Sequence, residues 1–411
     1  TIEGGDGAIA IQAIGTGTNL NIVNSGTIRA GAGQSIAIQV VQGFFGVIDL
    51  ELRAGSQIIG DVVANAARNA NVLRLGGADD WTLDGGIGST SQYRNFDRLE
   101  KTGASTWTIA GSGDFSGATT IAEGALIVNG SLAGSAVTVA SGARLGGSGT
   151  VGATTLASGS RITPGNSIGT LTVNGTYVQN AGSVYEVEVD PTIATSDRID
   201  VKGTATLADG ASVSVINYTG GTFVAGQRYT ILTSTGLTGS YSGDLVLSGF
   251  LSLRNSSDAT NAYLTVVQTA TAGSIGGTGN EQAVGSAVDS LPSGNAVQTG
   301  VYNQPTVEAG QGALRQLAGE IHASARSVLV DESWHVRSAV NDRLRSAFGT
   351  VGAAPMATLS YGFTADLAPA VKGPMPKLPS AERFAVWGQG YGSWGRTRSD
   401  GNAASLSRST G

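Results

Sequence analysis

The chain has 411 residues, of which 40% are hydrophobic and 13% charged, and its formal net charge is −6. This composition excludes an intrinsically disordered chain, and the negative charge argues against nucleic acid as a partner, because a phosphate-binding domain needs a basic face. The length exceeds what one compact core fills. The sequence has no cysteine, which suits a protein that crosses a membrane before it folds.

The N-terminal region repeats a short aliphatic run. Gly7-Ala-Ile-Ala-Ile-Gln12 returns after 27 residues as Gln34-Ser-Ile-Ala-Ile-Gln39. One such unit cannot bury its apolar residues alone, whereas stacked units bury them together, so the repeat predicts a β-solenoid. We expect successive coils to stack Ile9, Ile11, Ile36 and Ile38 on one another.

An acidic stretch, Gly76-Gly-Ala-Asp-Asp-Trp-Thr-Leu-Asp-Gly-Gly86, partly resembles a calcium-binding nonapeptide repeat. It occurs once, and it lacks a glycine that the calcium pattern requires before its second polar residue. We therefore predict a solvent-facing acidic corner there, with a calcium site as the alternative.

The stretch from Lys101 to Asp190 carries the repeat most clearly. Its corner glycines are Gly124, Gly142, Gly159 and Gly182, separated by 18, 17 and 23 residues. Glycine supplies the positive φ that tight corners need, and a period of this size without helical periodicity indicates stacked β-coils. We predict a mainly β chain built as a right-handed parallel β-helix, with a stalk over residues 1–159. No insertion longer than a corner is expected, which favours a stalk.

Residues 160–270 are predicted to continue the β-helix with longer, more aromatic strands that close its lower end. The composition changes at residue 271, and residues 271–349 are predicted to be helical. Asn280 is expected to cap a short helix, and a longer helix is expected from Val307. Asp331 is expected to cap a further helix with the apolar stripe Val336, Val340, Leu344 and Phe348.

Residues 350–382 are rich in Ala, Gly and Pro and are predicted to be a linker. Residues 383–411 begin with Arg383-Phe-Ala-Val-Trp-Gly-Gln-Gly-Tyr-Gly-Ser-Trp-Gly-Arg396, about as long as a strand that crosses an outer membrane. We expect an incomplete barrel strand or hairpin here. The chain begins at Thr1 without a leader, so we expect a fragment or a processed product.

Few residues could perform catalysis. His322 and His335 are the only histidines, so residues 1–270 hold no Ser-His-Asp triad. Asp190, Asp197 and Asp200 are close enough in sequence to converge in a groove, as in β-helix enzymes that use carboxylates. Such carboxylates more often solvate a corner, and we predict a non-enzymatic chain with no catalytic, cofactor-binding or metal-ligating residue.

The order of solenoid, helical segment and barrel strand resembles the classical monomeric autotransporters of type V secretion, with a pertactin-like β-helix. Residues 115–174, including Pro164-Gly-Asn-Ser-Ile-Gly-Thr-Leu-Thr-Val-Asn-Gly175, are similar to the passenger-associated repeat of that family. Residues 315–345 are similar to its linker helices, and residues 386–411 look like the start of its translocator barrel.

This resemblance implies secretion across the bacterial outer membrane, with an extracellular passenger and the barrel in the membrane. It implies that residues 160–270 form an autochaperone region and that the outer membrane and the barrel-assembly machinery are partners. Some autotransporters release the passenger at an Asn of the linker helix, but Asn341-Asp342 shows no pattern specific to that reaction, so we expect a plain helix-surface pair, with cleavage as the alternative. We expect an adhesin or stalk that contacts a host-cell surface or matrix, with no nucleic acid, cofactor or small-molecule substrate. The alternatives are a β-helix lyase or hydrolase of glycans and a structural stalk for an N-terminal effector.

Overall fold

The computed structural model describes residues 1–17, 19–347, 390, 392–398 and 405–410. Within these residues the chain is mainly β, and its strands form long parallel sheets. It divides into two compact units. The first contains Thr1–Ala272 and Val288–Gly310, and the second contains Gly273–Ala287 and Gln311–Gly411.

The strands of the first unit follow one another as the rungs of a β-helix. The first four rungs contain β1 (Ile2–Glu3), β2 (Ile11–Ala13), β3 (Leu20–Asn24), β4 (Thr27–Arg29), β5 (Ile36–Val40), β6 (Ile48–Leu52), β7 (Gln57–Ile59), β8 (Asp61–Val63), β9 (Val72–Leu75), β10 (Trp81–Leu83), β11 (Tyr93–Arg94) and β12 (Arg98–Lys101). The next four contain β13 (Thr106–Ile109), β14 (Ala118–Ile121), β15 (Ala125–Val128), β16 (Ser131–Leu132), β17 (Val137–Val139), β18 (Arg144–Gly147), β19 (Thr150–Val151), β20 (Thr154–Leu156), β21 (Arg161–Pro164), β22 (Thr170–Val173) and β23 (Tyr177–Gln179).

The lower end contains longer strands. The last parallel rungs comprise β24 (Val184–Asp190), β25 (Thr195–Ser196), β26 (Arg198–Val201), β27 (Thr204–Leu207), β28 (Ser212–Asn217), β29 (Arg228–Thr233) and β30 (Gly236–Thr238). They are followed by β31 (Leu245–Val246), β32 (Leu251–Ser257) and β33 (Asn261–Gln268), which pair antiparallel with one another and with β29.

The rungs contribute strands to three faces, and every rung except the fifth, which contains only β13 and β14, contributes one strand to each face. The first face runs β1-β4-β7 and, after a break, β10-β13-β15-β18-β21-β24, and β28 also pairs with β24. The second face runs β2-β5-β8-β11 and resumes as β16-β19-β22-β26-β29. The third face is a single sheet of 10 strands from β3 to β30 without a break. The third face is therefore the continuous ladder that holds the rungs in register.

The predicted parallel stacking is confirmed in the N-terminal rungs. Ile11 pairs with Ile38 and Gln12 with Gln39 in a parallel ladder, which is the shift that the repeated motif predicts. The Gln12 amide Nε2 also donates to Oε1 of Gln39 over 2.8 Å. Ile9 precedes β2 and is half-buried.

Aliphatic side chains stack inside the coil. Leu50 lies opposite Leu73, which lies opposite Leu99, and each of the three is 0% exposed. Burying one such side chain contributes roughly 1.5–3 kcal/mol, and the alternation of a strand sends every second residue to the interior. The interior therefore grows with each rung added, as a solenoid requires.

The corner glycines form a ladder of their own. Gly124, Gly142, Gly159 and Gly182 all have positive φ, between 66° and 81°, as the corner prediction requires. The Gly142 amide donates to the carbonyl of Gly159 over 3.0 Å, and the Gly159 amide donates to that of Gly182 over 2.9 Å. Successive corners are thus hydrogen-bonded to each other through residues that only glycine fits without strain.

The lower end is aromatic, in agreement with the prediction of longer and more aromatic strands. Tyr177, Tyr185 and Tyr229 are at most 1% exposed. The Tyr185 hydroxyl donates to the carbonyl of Ile231 over 2.9 Å, and its ring lies 6.1 Å from that of Tyr241. These rings fill an interior that the small aliphatic residues of the upper rungs would leave open.

Two expectations about loops and caps are wrong. Residues 84–92 separate β10 from β11 and residues 218–227 separate β28 from β29, and these two connections are longer than the corners elsewhere in the coil. The helix around Asn280, α2 (Gly279–Asp289), begins one residue before that asparagine, after the short α1 (Ala272–Ile275). The Thr278 hydroxyl accepts from the Glu281 amide over 3.2 Å, and Glu281 Oε2 accepts from the Gly277 amide over 2.7 Å. This capping-box arrangement starts the helix at Thr278.

The later helices also differ from the prediction. A helix α3 (Ala296–Tyr302), capped by Asn295, was not predicted. The pattern expected from Val307 divides into α4 (Val307–Ala318) and α5 (Glu320–Ala347). Gly319, with a φ of 66°, ends α4 in the left-handed conformation that favours glycine after a helix. Asp331 lies inside α5 and caps no helix, and Val336, Val340 and Leu344 are 47–53% exposed.

The C-terminal described residues form an antiparallel hairpin of β34 (Ser393–Thr397) and β35 (Leu406–Thr410). The predicted strand began at Arg383, but residues 383–389 and 391 lie outside the described residues, as do Phe348 and the linker at 350–382. Among the described helices, none has the length and apolar character needed to span a membrane.

Two corner substitutions test the glycine ladder. A Cβ at Gly142 meets no atom within 4 Å, so Gly142→Ala pays only for its positive φ and should lower the free energy of unfolding by about 1–2 kcal/mol. A Cβ at Gly124 would lie 2.4 Å from the Ser105 carbonyl oxygen, so Gly124→Ala should cost roughly 2 kcal/mol more. Urea unfolding measures both, and equal losses would contradict the stacked-corner geometry.

Candidate functional site

The rungs from β12 to β15 contain a buried lysine. Lys101 is 0% exposed, and its Nζ donates to the carbonyls of Thr102, Gly103 and Glu123 over 2.8, 2.7 and 3.2 Å. Burial lowers the pKa of Lys101 to about 8, and the carboxylates of Glu123 and Asp80 oppose that shift. The ammonium thus satisfies corner carbonyls of two rungs, which otherwise would be buried without donors.

A tryptophan fills the interior of the same segment. Trp107, on β13, is 0% exposed, and its Nε1 donates to the Gly76 carbonyl over 3.1 Å. This hydrogen bond links β13 to the corner between β9 and β10. Sequence reasoning missed both Lys101 and Trp107 as structural anchors, because a lysine is rarely buried and a polar contact across rungs leaves no local pattern.

The three candidate aspartates do not form one site. Asp190 accepts from the hydroxyls of Thr192 and Thr219 over 2.6 and 2.9 Å, and these bonds hold its pKa below the usual range. Asp200 accepts from Lys202 Nζ over 2.6 Å and from the Thr233 hydroxyl over 3.0 Å. Each carboxylate thus has its own set of partners, and each stabilises its own part of the fold.

Asp197 instead lines a groove of about 290 Å³ with Glu186 and Glu188. Asp197 is 1% exposed and accepts from the amides of Gly169 and Glu188 over 2.9 and 2.8 Å. Burial raises the pKa of Asp197 to about 7, assisted by the charge of Glu188 and opposed by the two amide bonds. Since Gly169 belongs to the motif that begins at Pro164, Asp197 anchors that motif to the next rung.

The remaining candidates are dispersed. Within the acidic stretch, Asp80 Oδ1 accepts from the Thr106 amide over 2.6 Å, and the described residues contain no group of three or more His, Asp or Glu side chains arranged to hold a metal ion. His322 and His335 lie on α5, and Asn341 and Asp342 are exposed on that same helix.

Residues 99–128 match the model of the passenger-associated transport repeat. These are the residues of β12 to β15 around Lys101 and Trp107. The chain is also 28% identical over 361 residues, and 25% over 381, to two proteins of Serratia marcescens named extracellular serine protease. The alignments cover 76% and 81% of this chain.

The matched repeat and the two relatives together support an autotransporter passenger. The family resemblance that the sequence predicts is confirmed for the passenger, although the matched residues 99–128 overlap the predicted repeat at 115–174 only over 115–128. An autotransporter passenger is secreted to the outer membrane or the cell surface. The two alignments span 32% and 33% of the relatives, about a third of their length.

The prediction of a non-enzymatic chain is contradicted by these relatives, both of which are named serine proteases. The prediction relied on the absence of histidine from residues 1–270 and on the expectation that Asp190, Asp197 and Asp200 are solvated corner carboxylates. The absence of a triad from one stretch of a chain does not decide the activity of the whole protein.

Replacing the buried lysine tests its structural role. Lys101→Met keeps the aliphatic stem but leaves three carbonyls without their donor, and it should lower the free energy of unfolding by roughly 2–4 kcal/mol. Lys202→Met is the matched control, because Lys202 forms an exposed ion pair that should be worth at most about 1 kcal/mol. Chemical denaturation of both variants measures the difference, and a loss at Lys101 no larger than at Lys202 would be inconsistent with this role.

The Asp197 carboxyl should make stability depend on pH. Its pKa is about 7 in the folded chain and 3.8 in an ordinary environment, so its contribution is complete below pH 3.8 and is lost as pH rises through about 7. We expect the wild type to lose roughly 1–3 kcal/mol more than Asp197→Asn between pH 5 and pH 8. Parallel pH dependences of unfolding in the two proteins would disprove this assignment.

Proposed function

We propose that this passenger is the β-helical support and folding segment of a secreted serine protease. The observation that supports it most is the unbroken third face, which joins the passenger-associated repeat to the aromatic lower end in one ladder. Such a ladder transmits order from rung to rung, because each rung forms only against a completed neighbour. The protease activity of the relatives is the second support.

In this proposal the lower end folds first. The strands β29, β33 and β32 pair antiparallel and bury Phe250, Leu251 and Leu253 at 0% exposure, so this part has a core that does not wait for another rung. The rungs above it then add to the exposed edges of the ladder. This is the role that the resemblance implies for an autochaperone region at residues 160–270.

We also propose where the passenger acts and which machinery inserts the protein into the membrane. The passenger acts outside the outer membrane, the barrel-assembly machinery inserts the membrane part of the protein, and residues 383–411 begin that part. The predicted adhesive role and its host-surface or matrix partner remain predictions. The support role is favoured by a coil whose acidic residues are mostly engaged within the fold, as Asp190, Asp197 and Asp200 are.

Secretion of the protein that contains this chain tests the proposal. Tyr185→Ala removes a fully buried ring and should reduce the amount of folded passenger outside the cell several-fold, since such a change costs roughly 3–5 kcal/mol. Casein hydrolysis that is sensitive to a serine-protease inhibitor should fall in proportion, with unchanged activity per folded molecule. Tyr218→Ala, at an exposed tyrosine, is the matched control.

Two results would refute the proposal. One is the absence of inhibitor-sensitive hydrolysis in the wild-type protein. The other is a Tyr185 variant that is secreted normally but has lower activity per molecule, because that would place the substitution in the chemistry and not in folding.

A further inference from the structure

The first face of the β-helix opens between its third and fourth rungs. β7 and β10 occupy successive rungs, yet they end separate sheets, and a cavity of about 760 Å³ lies between them. The same two rungs are paired on the other faces, β8 with β11 and β9 with β12. Two strand edges therefore border an opening in the first face.

The upper border presents the backbone of Ile58. The Gln57 amide donates to the Gly26 carbonyl over 2.8 Å, and the Ile59 carbonyl accepts from the Ala30 amide over 2.9 Å. The backbone groups of Gln57 and Ile59 therefore bond to the rung above. Alternate residues of a strand in a parallel ladder bond to opposite neighbours, which leaves Ile58 facing the opening. Its carbonyl accepts from Nε2 of Gln92 over 2.8 Å. A side-chain amide thus occupies the place of a neighbouring strand's N–H.

The lower border presents the backbone of Thr82. The Leu83 carbonyl accepts from the Ala110 amide over 3.0 Å, so Leu83 bonds to the rung below. By the same alternation, the N–H and carbonyl of Thr82 face the opening, and Thr82 is exposed. Each border of the opening therefore offers a backbone group for a further strand.

The cavity combines an apolar floor with negative charge. Leu52, Leu83, Tyr93 and Trp107 are among its lining residues and are at most 4% exposed, while Trp81 is 37% exposed at the rim. Of the described residues that line it, Asp80 and Asp84 carry the charge. An occupant with an apolar body and a cationic group complements both features.

We propose that this opening binds an extended segment of another polypeptide, which pairs as an added strand with β7 and β10 and places a Lys or Arg side chain beside Asp80 and Asp84. Addition of a strand to an exposed sheet edge is a recurrent mode of peptide recognition, with backbone bonds giving affinity and side-chain pockets giving selectivity. Gln92 leaves the Ile58 carbonyl when the segment binds. The acidic stretch at Gly76–Gly86 then serves as a peptide-binding border.

A sugar is the competing occupant, because Trp81, two carboxylates and the Gln92 amide are also suited to hydroxyl groups. The backbone groups on both borders favour a strand, because a strand carries N–H and carbonyl groups at the spacing that pairing with a strand edge requires. The two occupants respond differently to a change that removes one backbone N–H and leaves the side chains in place.

Thr82→Pro is that change. Proline removes the N–H that faces the opening. It is tolerated on an edge strand because the Leu83 carbonyl accepts from the Ala110 amide, and the alternation of a parallel ladder then directs the backbone of Trp81, and not that of Thr82, toward β13. Thr82→Val keeps the N–H and removes the hydroxyl, which makes it the matched control. Gln92→Ala frees the Ile58 carbonyl and should strengthen strand binding. Thermal unfolding checks that each variant is folded.

The probe is a fluorescent octapeptide of alternating Thr and Val with one central Lys, compared with the same peptide carrying Glu. Fluorescence anisotropy should show saturable binding of the Lys peptide and about tenfold weaker binding of the Glu peptide. Thr82→Pro should weaken the Lys peptide about tenfold, whereas Thr82→Val should change its affinity less than about twofold.

Four results would overturn the proposal. The first is that the Lys peptide shows no saturable binding to wild type or Gln92→Ala, and the second is that Thr82→Pro and wild type bind the Lys peptide with equal affinity. The third is that neutral oligosaccharides bind and Thr82→Pro leaves their binding intact. The fourth is that the protein self-associates in sedimentation and Thr82→Pro abolishes this self-association. The last result would assign the opening to a second copy of this chain.

Discussion

The continuous parallel ladder of the third face is the interaction on which the rest of this passenger depends. It joins ten strands from β3 to β30, and it alone continues through the rungs at which the first and second faces break. Leu50, Leu73 and Leu99 stack behind it without exposure, so backbone bonding and apolar burial act along one line. Because each rung buries its side chains only against the next, the stability of the coil is a property of neighbours.

The interruptions follow from the same constraint. A rung that keeps its third-face strand stays in register even when its connections on the other faces differ in length. Residues 84–92, between β10 and β11, are such a longer connection. On the first face of the same rungs β7 and β10 do not pair, and Gln92 of this loop donates to the Ile58 carbonyl. The longer loop and the unpaired strands thus lie outside the third face, whose ladder stays continuous.

Much of the fold was predictable from the sequence, because the stacked coils follow from a short repeat of neighbouring residues. The repeated Gly7–Gln12 motif and the corner glycines such as Gly142 each report a geometry set by neighbouring residues. The helix boundaries at Thr278 and Gly319 were missed although both carry signals, since a capping threonine and a C-terminal glycine resemble ordinary loop residues in a glycine-rich chain. The buried contacts of Lys101 and Asp197 depend on residues in other rungs, and no local pattern records them.

Amide hydrogen exchange of the folded passenger, followed strand by strand, tests the central ladder most directly. We predict that β9, β12 and β14 on the third face exchange slowly and together, while β7 and β10, which border the opening on the first face, exchange faster by about a factor of ten or more. Exchange of β9, β12 and β14 as fast as that of β7 and β10 would contradict it, because the third face would then not be what holds these rungs together.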